Sequence, residues 1–237
     1  MTVPRSTVRL TLLVAAVLLA FSGAAFLLSQ LLKHTRSDSV TVTRPVAHIV
    51  VRSDAGDVRL TPAAVDRVTV EERRTWLWEE PAVDTTLQDD GTLVLSGSCP
   101  AARLMDLCQT EFTVRVPPGV AVRVDSGAGA IDVRGLDGPL DLRTTTGAIS
   151  GAELLSDDVT AHTTTGELHL SFVSAPPSVA ASSRSGDVDV ALPLANYRID
   201  GSSGSGDVAV RGLYRDDLAP RHVTASSRDG SVAVHAR

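Results

Sequence analysis

The segments SRSGDVDV (residues 183–190) and SGSGDVAV (residues 203–210) carry the same pattern 20 residues apart. A hydroxyl residue stands three positions before a glycine, and aliphatic residues stand two and four positions after it. The pattern recurs through the second half of the chain and once earlier, which predicts an architecture of internal repeats. The glycine column comprises Gly56, Gly129, Gly147, Gly166, Gly186, Gly206 and Gly230.

The columns around each glycine alternate as the side chains of a β-strand do. The two aliphatic positions after the glycine share one strand face, and the residue between them varies as a solvent-facing position does. Apolar columns seven and five positions before the glycine predict a second short strand. The hydroxyl column has inward parity, so its members can bond each other or the turn backbone. It comprises Ser53, Ser126, Thr144, Thr163, Ser183, Ser203 and Ser227.

The spacing of the repeats decides the fold class. From Gly129 to Gly230, successive glycines of the column lie 18, 19, 20, 20 and 24 residues apart, too close for a strand-plus-helix unit. A unit of strand, turn, strand and loop fits, but it cannot bury its own apolar face. We therefore predict an all-β domain, a β-solenoid of stacked strand repeats with about 20 residues per coil. Glycine would supply the positive φ or the close backbone approach at each turn.

A long apolar segment precedes the repeats. Residues 10–32 are 23 residues without a charged side chain. As a helix rising ~1.5 Å per residue the segment reaches about 34 Å, enough to span a bilayer. We predict a transmembrane signal-anchor there, with residues 1–9 in the cytoplasm and a polar stalk over residues 33–45. A cleaved signal peptide is the alternative, but the apolar run exceeds the usual secretory h-region.

Two cysteines bear on the orientation. Cys99 and Cys108 are the only ones, nine residues apart in a loop-like stretch. They suit a local disulfide in an oxidising compartment, whereas two cysteines without a nearby histidine make a poor zinc site. Because basic residues flank the apolar segment on both sides, charge alone leaves its orientation open. We therefore expect a single-pass cell-membrane protein whose domain, residues 46–237, is extracellular.

The charge of this domain narrows the class of partner. Removing Arg5, Arg9 and Lys33 from the 22 basic residues leaves 19 from residue 34 onward, against 28 acidic residues, a net charge of −9. Such a surface does not favour nucleic acid. The acidic residues are spread along the chain, which is typical of a solvated exterior.

Residues 61–121 do not repeat cleanly but still alternate, which predicts an irregular cap or insertion at the first end of the stack. Trp76 and Trp78, the only tryptophans, lie in this region. In a strand both indoles would face one way, so they form either a candidate binding platform or cap residues packed on the stack. At the other end, only three residues follow Val234. We expect this final coil to be an open edge that pairs with another copy or a partner protein.

The sequence shows no clustering of the residue types that carry catalysis or bind metals. The six histidines lack a metal-ligand spacing, and His162 and His169 have opposite parity in different strands. The 20-residue period differs from the nonapeptide period of calcium-binding β-rolls. Asp132 and Asp189 share an outward column but lie rungs apart, too far for the paired carboxylates of a carbohydrate-cleaving β-helix enzyme. We expect no enzyme, no cofactor and no metal site.

The set of motifs resembles a known family. An N-terminal membrane helix, the Val-Pro-Pro-Gly stretch at residues 116–119 and the tandem glycine units resemble the bacterial putative-adhesin family of β-strand-repeat domains, over most of residues 46–237. The resemblance implies a β-solenoid-like fold on the cell envelope, in a domain of unknown function without known active-site residues. We interpret the protein as a binding, adhesion or scaffold module. Its partners would be cell-wall polymer, another envelope protein or itself. The alternative is an accessory of an envelope-stress or signalling system that binds a neighbouring membrane protein.

Overall fold

The computed structural model describes residues 33–100 and 107–237, and its regular structure there is entirely β-strand. Twenty strands form two ten-stranded sheets, which confirms the all-β, stacked-repeat prediction. Within these two ranges the structure has no helix of the length and apolarity that a membrane crossing requires. The predicted anchor, residues 10–32, and the N-terminal residues 1–9 lie outside the described residues.

Eight coils of the described chain each place their first strand in one sheet, called sheet B, and their second strand in the other, sheet A. In chain order the coils are β2 (His48–Ala55) and β3 (Val58–Pro62), β6 (Thr92–Ser98) and β7 (Cys108–Val116), β8 (Ala121–Ala128) and β9 (Ile131–Arg134), β10 (Leu140–Thr146) and β11 (Ile149–Leu154), β12 (Asp158–Thr165) and β13 (Leu168–Phe172), β14 (Ser178–Ser185) and β15 (Val188–Leu192), β16 (Asn196–Ser203) and β17 (Val208–Arg211), and β19 (His222–Asp229) and β20 (Val232–Ala236). The strands outside the coils are β1 (His34–Val42), β4 (Val68–Trp76), β5 (Ala82–Leu87) and β18 (Tyr214–Arg215).

The order of the coils in space differs from their order in the chain at both ends. The coil β2–β3 lies between β6–β7 and β8–β9, and the final coil β19–β20 lies between β14–β15 and β16–β17. The expectation that the final coil forms the open edge is therefore wrong. Its inward side chains Val223, Ala225, Val232 and Val234 are all buried, because a neighbouring coil covers them on each side. The coil β16–β17 takes the end position instead.

The inward columns predicted from the sequence form the core between the two sheets. The residues after the turns, such as Ile131 and Leu168, are fully buried. One coil departs from the pattern, since Gly151 occupies an inward aliphatic position. A bulge after it turns Leu154 into the core, where its side chain fills the space that a side chain on residue 151 would need. The bulge places Glu153 at φ 55°, the one positive φ at a non-glycine residue of the described chain.

The column glycines stack against one another's carbonyl groups. A Cβ on Gly166 would come within 3.0 Å of the Gly147 carbonyl group, and a Cβ on Gly230 would do the same to Gly186. Gly206 lies in turn against Gly230, so the stacking of the glycines follows the spatial order of the coils. Five column members also have φ between +117° and +153°, whereas Gly206 and Gly230 do not. Those five are Gly56, Gly129, Gly147, Gly166 and Gly186.

The hydroxyl column reinforces the same contact. Thr163 Oγ1 donates to the Gly147 carbonyl oxygen at 3.0 Å, and Ser227 Oγ donates to that of Gly186 at 2.8 Å. Each of these inward hydroxyls therefore bonds the turn backbone of the neighbouring coil rather than another hydroxyl. Corresponding bonds come from Thr144, Ser183 and Ser203, and Ser53 reaches the carbonyl oxygen of Thr110.

Antiparallel strands close the first end of the stack. In sheet A, β4 pairs with β7, and β1 pairs with β4 along its whole length, from His34 to Val42. In sheet B, β5 pairs with β6. The prediction of a stalk over residues 33–45 is thus wrong for most of that segment. A mostly exposed outermost strand needs no apolar alternation, so its sequence reads as polar linker. The irregular region 61–121 consists of β4, β5 and the coil β6–β7.

A charged cluster lies within this cap. Arg74 Nη2 lies 3.0 Å from Glu72 Oε1 and also contacts Asp38, and Arg74 Nη1 lies 2.8 Å from Glu80 Oε1. Glu72 is only 8% exposed. Burial raises the pKa of the Glu72 carboxyl and nearby Asp38 adds to this, while the Arg74 guanidinium opposes them. Arg36 also lies 3.0 Å from Asp38 and 3.7 Å from Glu80, so two arginines face three carboxylates, of which Glu72 is the buried one.

Replacing a column glycine should strongly destabilise the stack. We expect Gly166→Ala to lower the free energy of unfolding by about 2–4 kcal/mol, because the new methyl group overlaps backbone that cannot move aside. Gly119→Ala is the control, since Gly119 also has positive φ but nothing within 4 Å of the added carbon. It should cost about 1 kcal/mol. Urea unfolding of residues 33–237 measures both, and equal losses would contradict the stacking contact.

The Glu72 cluster predicts a pH-dependent stability. Because the folded-state pKa of Glu72 lies above its unfolded value, its contribution to stability is present at low pH and lost as pH rises through the folded pKa. Glu72→Gln should therefore raise the unfolding midpoint at pH 7, and the gain should vanish below about pH 4. Glu71→Gln, at an exposed ion pair with Arg115, is the control and should change stability by about 1 kcal/mol or less. A Glu72→Gln protein less stable than the parent at pH 7 would show that pairing outweighs burial.

Candidate functional site

Candidate metal ligands do not converge in the described chain. Residues 33–100 and 107–237 contain no group of three or more His, Cys, Asp or Glu side chains able to hold a metal ion. His162 lies on the outer face of sheet B and bonds Ser182 at 2.8 Å, whereas His169 lies on the outer face of sheet A, 3.1 Å from Glu167. The two histidines therefore cannot share a ligand.

The outward aspartates contact basic side chains instead of facing each other. Asp132 and Asp189 are on β9 and β15, with β11 and β13 between them, so about 14 Å separates their strands. Asp132 lies 3.6 Å from Arg59, and Asp189 Oδ1 lies 3.1 Å from His235 Nε2. Such exposed pairs are typical of a solvated sheet face.

The tryptophans do not share one strand face. Trp76 is the last residue of β4, half-buried, and its ring stacks on that of His34 with centroids 5.8 Å apart. Trp78 lies beyond the end of the strand and is 70% exposed. The strand parity that would align the indoles therefore does not extend to Trp78. Trp76 is part of the cap, and Trp78 stands alone as an exposed aromatic side chain.

Cys99 and Cys108 form a disulfide, with their Cα atoms 5.9 Å apart. Cys99 follows β6 in sheet B, and Cys108 begins β7 in sheet A. The bond therefore joins the two sheets within the coil β6–β7, which has no glycine of the column. The disulfide connects the two strands of this outermost coil. The stacking of the glycines ends at the same coil, where Gly56 lies against the carbonyl group of Thr110.

The opposite end of the stack is apolar and open. Val208 of β17 is 45% exposed, although its equivalents Val188 and Val232 are 1% exposed. The difference arises because no described strand lies beyond β17 in sheet A. The exposed apolar side chains of this end are Val208 of β17, Tyr214 of β18 and Leu218, which follows β18, and together with β17 we call them the open end.

The two sheets finish differently at the open end. In sheet B, the outer carbonyls of β16 are occupied: Asp216 N donates to Tyr197 O at 3.0 Å, and Arg215 Nη2 donates to Ile199 O at 3.2 Å. The two-residue strand β18 thus blunts that edge. In sheet A, β17 pairs with β20 on one side, and no described residue pairs with its other side. The backbone of residues 208–211 is therefore a free strand edge.

Reasoning from the repeat columns missed this surface. The columns treat Val208 and Val210 like every other inward pair, and nothing in them says which coil is last. A signal was nevertheless available, since Tyr214 and Leu218 are large apolar residues outside every inward column. Large apolar residues in polar loops indicate either a local packing site or a contact surface.

Comparisons with known proteins agree with the architecture. No curated protein matches the chain. A crystal structure described as a "putative cell adhesion protein" from Clostridium sporogenes ATCC 15579 has a TM-score of 0.52 and 11% identity, over 86% of this chain and 100% of that one. One described as a "putative adhesin" from Bacteroides fragilis NCTC 9343 has a TM-score of 0.47 and 11% identity, over 86% and 97%. At this identity the first likeness shows the fold alone.

The model of one protein family spans the domain. It is described as Toastrack DUF4097, and it matches residues 39–237, from β1 through all eight coils. This match covers well over half of the chain and includes both the cap and the open end. The chain therefore belongs to the Toastrack DUF4097 family.

Proposed function

We propose that this protein is a single-pass, membrane-anchored component of the cell envelope, and that its β-repeat domain acts outside the membrane as a binding and adhesion module rather than as an enzyme. The observation that carries the proposal is the open end: a free strand edge bordered by exposed apolar side chains, on a domain whose other end is capped. The similar fold of the Clostridium sporogenes structure, which is described as a "putative cell adhesion protein", supports the same class of function.

The occupant that fits the free edge best is a second copy of this chain. Two equivalent edges related by a two-fold axis pair antiparallel, as in an isologous interface. With the pairing centred on Ala209, Val208 of one copy lies opposite Val210 of the other, on the inward face, and continues the core. Asp207, which directly precedes β17, would then lie near Arg211 of the other copy. The apolar pair at Val208 and Val210 and this pair of opposite charges would both favour self-association.

The self-association makes the domain a scaffold. Joining two copies at their open ends would produce a stack of sixteen coils, from the eight in each copy, with a cap at both outer ends. Buried apolar area would increase at Val208, which is 45% exposed in one copy. Tyr214 of β18, at the same end in sheet B, and Leu218 after it are also exposed and would enlarge the contact. Paired domains on membrane anchors give the avidity of two linked sites.

Substitutions at the free edge test the association. We expect residues 33–237 to form dimers as concentration rises, and Val208→Lys to keep them monomeric, because a charged side chain on an edge strand blocks further pairing. Val173→Lys is the control, since Val173 is 49% exposed and lies outside the open end. Sedimentation velocity measures both. Asp207→Arg alone should weaken the dimer by placing like charges near each other, and Arg211→Asp added to it should restore association. Strictly monomeric behaviour at all concentrations would contradict the proposal.

The anchor and the extracellular location need a test in cells. We expect the protein in the membrane fraction to retain residues 10–32, and Cys99 and Cys108 to react with a thiol probe only after reduction. Intact-mass spectrometry with and without reductant measures both. A mature chain that begins near residues 22–25 would replace the anchor by a cleaved signal peptide. Two free thiols in protein taken from intact cells would place the domain in a reducing compartment.

A further inference from the structure

A shallow groove of about 470 Å³ lies on the outer face of sheet B, over strands β12, β14, β19 and β16. Its walls are polar and include His162, Arg184, Ser202, Ser226 and Arg228. Gly204, which directly follows β16, lies beside Arg228. That glycine donates its backbone N–H to Ser227 O at 3.0 Å. A Cβ there would meet the carbonyl oxygen of Arg228 at 2.6 Å.

Two arginines face the groove from adjacent strands. β14 and β19 pair in parallel with Ser183 opposite Ser227 and Ser185 opposite Asp229, which places Arg184 beside Arg228. Their strands are separated by about 4.8 Å. Both side chains are exposed, and neither has a carboxylate partner within 4.0 Å among the described residues. Like charges at directly opposite positions on neighbouring strands are destabilising.

Elsewhere the same sheet face avoids this arrangement. Arg123 lies 2.9 Å from Asp125 and 3.4 Å from Asp141, and Arg143 lies 2.9 Å from Asp141. Arginines and carboxylates thus alternate along and across β8 and β10. The chain has excess acidic residues and a net charge of −6. Carboxylates are therefore plentiful in this chain, and a shortage of them does not explain why Arg184 and Arg228 lack a partner.

We propose that the groove binds a phosphate group, with the Arg184 and Arg228 guanidinium groups as its charged donors and the hydroxyl groups of Ser202 and Ser226 as further partners. Guanidinium groups recognise phosphate oxygens through parallel N–H donors. A bound phosphate would supply the negative charge that Arg184 and Arg228 lack on neighbouring strands. The hydroxyls suit the neighbouring hydroxyl groups of a sugar or polyol. The ligand class is a phosphodiester polymer of sugar or polyol units.

The surroundings favour a soluble polymer over a lipid surface. Of the exposed large apolar side chains in the described residues, none lines this groove. A membrane-binding face would need such side chains to insert beside the headgroups. The groove is also shallow and crosses four neighbouring strands, so a chain can lie across several coils. Stacked repeats commonly present extended binding surfaces of this kind.

Binding is tested on the full-length protein in a neutral detergent. Isothermal titration with inorganic phosphate, and then with a synthetic oligomer of glycerol phosphate, should show saturable binding that weakens as sodium chloride is raised. Arg184→Ala and Arg228→Ala should each weaken the affinity about 10-fold or more. Arg52→Ala is the matched control, an exposed arginine on the same sheet face opposite Asp125, and should change it less than about 2-fold.

A second variant keeps the test independent of folding defects. Arg228→Glu places a carboxylate beside Arg184, so it should abolish phosphate binding while raising the thermal midpoint. Absence of binding by the parent protein, or an equal loss in Arg52→Ala, would overturn the site. Tighter binding to phosphatidylglycerol vesicles than to the soluble oligomer would overturn the polymer as its ligand. Val208→Lys should leave phosphate affinity unchanged, so failure of this proposal is distinguishable from failure of the association at β17.

Discussion

The structure depends on one backbone contact, the approach of each column glycine to a backbone carbonyl group of the neighbouring coil, which belongs to another column glycine except at Gly56, where it belongs to Thr110. Because a Cβ at these positions would overlap the neighbouring backbone, the contact is available only to glycine. It brings neighbouring turns into register. In most coils the inward Ser or Thr three positions earlier donates a hydrogen bond to the same carbonyl oxygen, whereas the Ser126 hydroxyl has no partner among the described residues. With the turns in register, both strands of each coil pair in parallel with their neighbours, and the aliphatic columns meet in one core.

This contact explains what the sequence predicts well. The columns of glycine, hydroxyl and aliphatic residues predict the strands, the turn and the burial of positions such as Ile131, because stacking imposes the same requirement on every coil. For the same reason they do not predict the order of the coils. Coils with interchangeable columns can stack on one another in any order. In the structure, the final coil β19–β20 lies between β14–β15 and β16–β17. The edge strand β1 and the bulge at Glu153 also escape the pattern, since neither follows its alternation.

The order of the coils also decides where the candidate sites lie. Because the final coil is internal, the coil β16–β17 contributes the free edge at Val208 and the side of the polar groove that contains Ser202 and Gly204. Arg184 and Arg228 lie 44 residues apart in the chain, and they become neighbours only through the insertion of β19 beside β14. Sequence reasoning located neither surface, because both depend on contacts between coils that are not consecutive. The uniform inward columns, in contrast, serve stacking alone.

Cysteine pairing across the strands tests the coil order most directly. Ser182 lies opposite Ser226, which lies opposite Ser202, so Ser182 and Ser202 are two strands apart, about 9.6 Å. A disulfide requires Cα atoms within about 7 Å. The protein with Ser182→Cys and Ser226→Cys should therefore form a disulfide on mild oxidation, mapped by mass spectrometry, and that with Ser182→Cys and Ser202→Cys should not. A disulfide between positions 182 and 202 and none between 182 and 226 would contradict the insertion of the final coil.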